Sequence, residues 1–169
     1  MNLGKAALAD QQALFQTQIE QHKKIIFKVV GTYAWRLEDQ QDLVQEITLQ
    51  LWKAFPKYDG TRVFSTWMYQ VALNTAISWS RKAQVRNRHT AVIDNLEEIP
   101  AEGQDSLDSQ ALYQLIHSLD ELNRALLMLH IEEKSHAEIG EILGISSNNV
   151  ATKISRLKER LRLEVERHN

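Results

Sequence analysis

The sequence predicts an all-α protein of two small helical domains joined by an acidic flexible linker, the second domain being a helix-turn-helix. Apolar residues recur at helical spacing along nearly the whole chain, and no stretch alternates apolar and polar residues as a strand would. Only 2 prolines and 6 glycines interrupt the 169 residues. We expect a first domain over residues 1–93, a linker over 94–111 and a second domain over 112–169.

The first domain is predicted to be helical up to a break at Gly31, with a second helix that ends at Pro56. On that second helix Asp42, Gln45 and Glu46 stand at i, i+3 and i+4, so they form one polar patch on an otherwise apolar helix. A polar loop from Pro56 to Arg62 follows, and a third helix begins at Phe64.

Aromatic residues and an amide share one side of the third helix. Trp67, Asn74 and Arg81 project to the same face, together with Val71 and Ser78. Aromatic rings stack on unpaired nucleic-acid bases, and an Asn amide can hydrogen-bond their edges. The alternative is that the aromatic residues only fill the core, which is their commoner role in helices.

Charge is distributed in blocks that the net charge of −2 conceals. Residues 51–93 hold seven basic side chains and one acidic, a balance of +6, and residues 146–169 hold six basic and three acidic. Residues 94–145 between them carry a net charge of −10, and from Asp94 to Asp108 there are six acids and no base. Because the Debye length is about 8 Å at physiological salt, each block presents its own sign to a partner. The basic blocks therefore favour a polyanion as partner, and the acidic stretch is typical of a flexible linker.

The C-terminal domain carries the signals of a helix-turn-helix. Ser135 and Glu138 form a capping-box pattern, Gly144 supplies a turn, and Ser146 is the next N-cap. An apolar stripe of the second helix faces the core: Val150, Ile154, Leu157 and Leu161. The opposite face is small and polar, as a helix in the major groove of DNA requires. A solvated helix of a bundle is the alternative.

Other classes of function find little support. With 0 cysteines there is neither a disulfide framework nor a thiolate metal site, and His130, Glu133 and His136 are poorly spaced to bind a metal. No nucleotide-binding or nucleophile motif is present, so we expect no enzyme activity, no cofactor and no metal. Neither a signal peptide nor a membrane-spanning stretch is recognisable, which predicts a cytoplasmic protein without membrane insertion.

Taken together, the two domains resemble the extracytoplasmic-function (ECF) sigma factors, the promoter-specificity subunits of bacterial RNA polymerase. The matching stretches are DLVQEITLQLWKAF, KYDG followed by FSTWMYQVALNTAI, and LDELNRALLML leading into SHAEIGEILGISSNNVATKISRLKERL. They cover about two thirds of the chain in the order of the family. As in that family, we expect core RNA polymerase (its clamp helices and flap), promoter DNA and an anti-sigma factor as partners.

The resemblance implies a role for each site. The patch Asp42, Gln45 and Glu46 would bind the polymerase clamp helices, and the loop from Lys57 to Val63 would capture an unpaired base of the −10 element. Residues expected to bind the −10 element are Lys57, Tyr58, Trp67, Asn74, Arg81 and Lys82. Residues expected to bind the −35 element are Ser147, Asn148, Asn149, Thr152, Lys153 and Arg156.

The chain departs from the family at several positions. Basic residues are common in the family where Gln70 and Leu73 stand, and Ala is favoured where Gly140 stands. In the recognition helix Asn149 and Ala151 replace a frequent Thr and Lys. The functional alternative is a stand-alone helix-turn-helix regulator whose first domain senses a signal or dimerises.

Overall fold

Helices make up the regular structure of the chain wherever it is described. A computed structural model describes residues 3–90 and 114–168. The helices are α1 (Leu3–Tyr33), α2 (Leu37–Ala54), a 3-10 turn (Phe55–Lys57), α3 (Phe64–Thr90), α4 (residues 114–118), α5 (Glu121–Ile131), α6 (His136–Leu143) and α7 (Ser147–His168). Neither of the two described stretches contains a strand, which confirms the all-α prediction.

The backbone divides into two compact units, Met1–Ala76 and Ile77–Asn169. This division falls inside α3, whereas the sequence predicts the domain boundary in the acidic stretch. The predicted boundaries near residues 94 and 111, and the linker between them, lie outside the described residues. They stay predictions.

In the first unit the three long helices bury one apolar face each. Leu43, Ile47 and Leu51 recur every four residues on α2, and all three are fully buried. Phe15 of α1 packs edge-on against Trp52, with ring centroids 5.1 Å apart, and against Phe55 at 5.2 Å. Such edge-to-face pairs contribute about 0.5–1.5 kcal/mol each beyond the area they bury.

The break predicted at Gly31 is wrong by three residues. Helix α1 passes through Gly31 and ends at Tyr33, after which Ala34 and Trp35 have no regular structure. Tyr33 and Ala34 are buried, at 2% and 1% exposure, so the end of α1 is held by packing. A lone glycine costs a helix only about 1 kcal/mol, which such packing offsets.

The second unit contains the predicted helix-turn-helix, and its capping signals are confirmed. Ser135 and Glu138 exchange the two hydrogen bonds of a capping box at the start of α6. Gly144 ends α6 in the left-handed region at φ 71°, and the Ser146 hydroxyl accepts the N–H of Asn149 at 3.1 Å. Ile139, Ile142 and Val150 are buried between α5, α6 and α7. The local sequence therefore fixes where both helices of the motif begin and where the first one ends.

Candidate nucleic-acid interface

Near its N-terminus, helix α7 presents a face that is polar except for the half-buried Ala151. Val150, Ile154 and Leu157 lie on its buried side, at 0–5% exposure. The residues predicted to bind the −35 element lie on the other sides: Ser147, Asn148, Asn149, Thr152 and Arg156 are exposed, and Lys153 is half-buried. The structure thus brings all six together on the first three turns of one helix.

Two of these residues make hydrogen bonds within α7 and its cap, and these bonds occupy some of their donor groups. The Thr152 hydroxyl donates to the carbonyl oxygen of Asn148 at 3.0 Å, so it is best placed to accept a hydrogen bond from a base. The Asn149 N–H donates to the Ser146 cap. Asn148 and Asn149 each carry a side-chain amide, the group that pairs with adenine in the major groove.

The turn between α6 and α7 requires a residue without a side chain at Gly140. A methyl group there would lie 2.5 Å from the carbonyl oxygen of Ile145 and 3.4 Å from the nitrogen of Ser147. The Ile145 N–H also donates to the Gly140 carbonyl at 3.0 Å. Close approach at Gly140 therefore sets the position of α7 relative to α6, and with it the recognition face.

In the first unit, the loop after the 3-10 turn has a defined internal geometry. Asp59 Oδ1 accepts the N–H of Thr61 at 3.0 Å and its hydroxyl at 2.7 Å, and these bonds lower the pKa of Asp59. Gly60 adopts φ 76°, which L-residues rarely do. The Tyr58 hydroxyl donates to the carbonyl oxygen of Arg62 at 2.6 Å. The loop is therefore closed on itself before any ligand binds.

The aromatic residues predicted to bind DNA belong to an aromatic cluster at the start of α3. The Tyr58 ring lies 5.1 Å from the Trp67 ring and 5.4 Å from the Phe64 ring. Phe64 is buried, whereas Tyr58 and Trp67 are half-buried at the edge of the cluster. These rings therefore pack against each other and are only half-buried, and base stacking on them stays a prediction.

Farther along α3, Asn74 is exposed and points away from the core. The buried side of the helix is formed by Met68, Ala72, Leu73 and Ala76, each fully buried. Arg81 and Lys82 are exposed in the C-terminal part of α3, which belongs to the second unit, and Lys57 is exposed in the 3-10 turn. Leu73, at a position where the family often has a basic residue, is part of the core.

A groove of about 760 Å³ lies beside the loop, but on the side of α1. It is lined by Leu8, Leu14, Phe55, Tyr58 and Phe64, with Asp10 and Asp59 at its polar edge. Asn74 is not among its lining residues, and its carboxylates disfavour a phosphate. This groove is therefore not the base-binding pocket that the sequence predicts.

The polar patch predicted on α2 is largely exposed. Asp42 and Gln45 are exposed, and Glu46, half-buried, accepts a hydrogen bond from Gln50 at 2.9 Å. Leu49, which is 44% exposed, stands one turn after Gln45 and was missed by the sequence analysis. Its i+4 spacing from Gln45 would have placed it on the patch. An apolar side chain among polar ones is typical of protein-binding surfaces.

The histidines near the end of α5 are not arranged as a metal site. Burial, followed by the nearby Lys158 and His136, lowers the pKa of His130. In the part of the chain that the structure describes, no group of three or more His, Cys, Asp or Glu side chains is arranged to hold a metal ion. No helix within residues 3–90 and 114–168 is both long and apolar enough to cross a membrane.

Comparison with known proteins places these features in one class. Residues 18–86 match the family Sigma-70 region 2, and residues 109–161 match Sigma-70, region 4. The ECF RNA polymerase sigma factor SigW of Bacillus subtilis is 29% identical over 170 residues, spanning 92% of this chain and 90% of SigW. The ECF RNA polymerase sigma-E factor of Escherichia coli is 26% identical over 165 residues, spanning 89% and 85%.

The fold agrees with this similarity. The sigma factor RpoE of Bartonella quintana, solved in complex with the anti-sigma factor NepR, superposes with a TM-score of 0.70 at 19% identity, over 90% of this chain and 96% of that one. Both parts of a sigma factor, region 2 and region 4, are thus present in order in one all-α chain. The chain belongs to the extracytoplasmic-function sigma factors. Its function is that of a sigma factor in the initiation of transcription.

Proposed function

We propose that this sigma factor binds core RNA polymerase in the cytoplasm and directs it to promoters by reading a −35 element with α7 and a −10 element with α3 and the loop before it. It would recognise DNA without catalysing a reaction of its own. One observation carries the proposal. Each of the two matched sigma regions contains exposed residues that were predicted to bind DNA: those on α7 in region 4, and Asn74 with its neighbours in region 2. We retain the domain boundaries 1–93, 94–111 and 112–169 as part of the proposal.

Contacts at the −35 element divide between base edges and backbone. Asn148 and Thr152 stand on the exposed face of α7, so they would hydrogen-bond base edges in the major groove. Lys153 and Arg156 flank that face and would bind phosphates, which position the helix without reading sequence. Ser147 and Asn149, in the first turn, would contact the DNA where the helix enters the groove.

At the −10 element, Asn74 would hold a base flipped out of the non-template strand, next to the loop that carries Lys57 and Tyr58. Extrusion of a base costs a few kcal/mol, which stacking on Trp67 and hydrogen bonds to Asn74 would offset. Arg81 and Lys82 would bind phosphates of the adjacent duplex. The pre-formed loop supports this role, because a loop that is already ordered loses little entropy on binding.

The patch Asp42, Gln45, Glu46 is proposed to bind the clamp helices of core polymerase, with Leu49 as an apolar contact at its C-terminal end. Its exposure supports the proposal: Asp42, Gln45 and Leu49 are exposed and Glu46 is half-buried, while Leu43 and Ile47 are buried in the core. The second domain would contact the polymerase flap. An anti-sigma factor is a further proposed partner, since the structurally similar RpoE was solved with one.

Run-off transcription with core RNA polymerase on a pool of genomic promoters tests the proposal. The wild-type chain should give discrete start sites that core enzyme alone does not. The charge reversal Glu46→Lys should weaken core binding and lower transcription, because it places a cation inside the polar patch. Glu20→Lys, a reversal of an exposed carboxylate on α1, is the matched control and should behave like wild type.

Two results would contradict the proposal. If no discrete start sites appear while another sigma factor yields them in the same assay, the chain does not direct initiation, and sequence-specific binding of the free chain to duplex DNA would then favour the stand-alone regulator. If Glu46→Lys binds core polymerase with unchanged affinity and retains the wild-type melting temperature, the patch is only a solvated surface.

A further inference from the structure

A hydrogen bond between the loop and α3 holds the guanidinium of Arg62 against the surface of the helix. Arg62, in the loop, donates from Nη1 to Oε1 of Gln70, on α3, at 2.7 Å. Gln70 precedes Asn74 by four residues, so the guanidinium is fixed about one helical turn before Asn74. Helical periodicity in the sequence could not predict this contact, because Arg62 lies in a loop and not on the helix.

The backbone of Arg62 is fixed independently of its side chain. Tyr58 binds the Arg62 carbonyl oxygen at 2.6 Å, and the Asp59–Thr61 bonds and the positive φ of Gly60 shape the turn before it. None of these bonds involves the guanidinium. Replacing the Arg62 side chain should therefore leave the loop closed.

Helix α3 supplies no positive charge in the turns next to Asn74. From Phe64 to Ser80, α3 contains no charged residue, and Leu73 is buried in the core. Asp59 is close enough for Arg62 to lower its pKa slightly, although Thr61 is the larger cause. A single-stranded nucleic acid brings a phosphate with every base, and proteins that bind it combine stacking side chains with cations.

We propose that Arg62 is a further DNA-binding residue, which binds a backbone phosphate next to the base held at Asn74, and that Gln70 is its positioning residue. The ligand is a phosphodiester of single-stranded DNA. A guanidinium suits it, since it can give two parallel N–H bonds to a phosphate. This inference rests on the proposed function of α3 at the −10 element.

The test measures binding of the complete holoenzyme to a promoter whose −10 region is already melted, over a range of salt concentrations. Arg62→Ala should weaken binding about tenfold, the usual size of one hydrogen-bonded ion pair. It should also lower the slope of log affinity against log salt by about 0.7, the value for one phosphate on a single strand. Lys24→Ala, which removes an exposed cation of α1, is the matched control and should change neither quantity.

A double variant tests whether the Arg62 guanidinium acts by binding a phosphate or by stabilising the loop. Arg62→Ala combined with Gln70→Arg puts a guanidinium on the same helical turn without the loop cation, so it should restore the salt slope and most of the affinity. Gln70→Met keeps the cation and removes its acceptor, so affinity should fall while the slope stays at the wild-type value.

Two outcomes would overturn the inference. They are a wild-type salt slope for Arg62→Ala, or a defect in that variant that Gln70→Arg does not restore. Base preference in the melted region, measured for wild type in the same assay, tests the proposed function separately. If wild type shows that preference and Arg62→Ala keeps the full slope, only the inference about Arg62 fails.

Discussion

Gly140 lies against the carbonyl oxygen of Ile145, and a methyl group at Gly140 would come within 2.5 Å of that atom. We expect Gly140→Ala to destabilise the second unit by about 1–2 kcal/mol, because the strain of overpacking exceeds the gain of about 1 kcal/mol in helix propensity. Gly31→Ala is the matched control: apart from its own stretch of helix, no atom lies within 4 Å of a methyl group there, so the same change should stabilise the first unit. Urea unfolding followed by NMR signals of each unit measures both. Equal stabilisation at the two sites would show that the turn tolerates a side chain.

Glu133 holds a backbone conformation that favours glycine. Its φ is 57°, and it ends α5 by donating its N–H to the His130 carbonyl at 3.0 Å, while Lys134 donates to Leu129 at 3.1 Å. Glu133→Gly should raise the free energy of unfolding by about 1 kcal/mol, since a left-handed residue with a side chain costs about that much. Glu132→Gly removes the same charge at φ −75° and should not stabilise the unit. If both variants behave alike, charge and not φ is responsible.

His117 should make the second unit sensitive to mild acid. Burial, followed by the nearby Arg124 cation, lowers the pKa of His117 to about 4, from 6.5. Between these values the unfolded chain binds a proton that the folded chain does not, so stability should fall as the pH drops from 6.5 towards 4. His117→Gln should flatten this dependence between pH 6.5 and 5, where most carboxylates stay charged. Urea titrations followed by NMR signals of α5 measure it, and an unchanged slope in the variant would contradict the assignment.

Base readout and phosphate binding on α7 should respond differently to truncation. Asn148→Ala should cost about 1–3 kcal/mol and relax preference at one position of the −35 element. Arg156→Ala should weaken binding to all sequences alike and reduce the salt slope by about 0.9, the value for one phosphate of duplex DNA. Competition binding over a library of −35 variants, repeated at several salt concentrations, separates the two. A uniform loss for Asn148→Ala would assign it to the backbone.

The helix-turn-helix could be predicted closely from sequence because local signals determine it. Ser135, Gly144 and Ser146 each act within a few residues of themselves, and all three behave as their sequence positions indicate. The break predicted at Gly31 is wrong because the helix continues to Tyr33, and burial of Tyr33 and Ala34 in the core holds its end. Local patterns do not contain that information.

In the candidate sites too, features set by local helix geometry could be predicted from the sequence, and features set by tertiary packing could not. Exposure of Asn74 and of the α7 face follows from helical period, so the sequence indicated both. The bond from Arg62 to Gln70 and the exposure of Leu49 depend on how a loop and a helix lie in space. The half-burial of Trp67 depends both on its place on the helix and on its packing against Tyr58, so helical periodicity alone could not predict it.

The central claim, that this chain opens promoter DNA and reads a base of the −10 element at Asn74, is tested most directly by Asn74→Ala. Holoenzyme binding to the duplex promoter is measured first, and then transcription from the same promoter in duplex and in pre-melted form, with one base of the bubble varied at a time. Because Asn74 is exposed, the variant should fold normally. We predict near-normal initial binding, poor opening of the duplex, and loss of preference at one bubble position. Unchanged discrimination at every bubble base would contradict the account and return Asn74 to the role of a solvated surface residue.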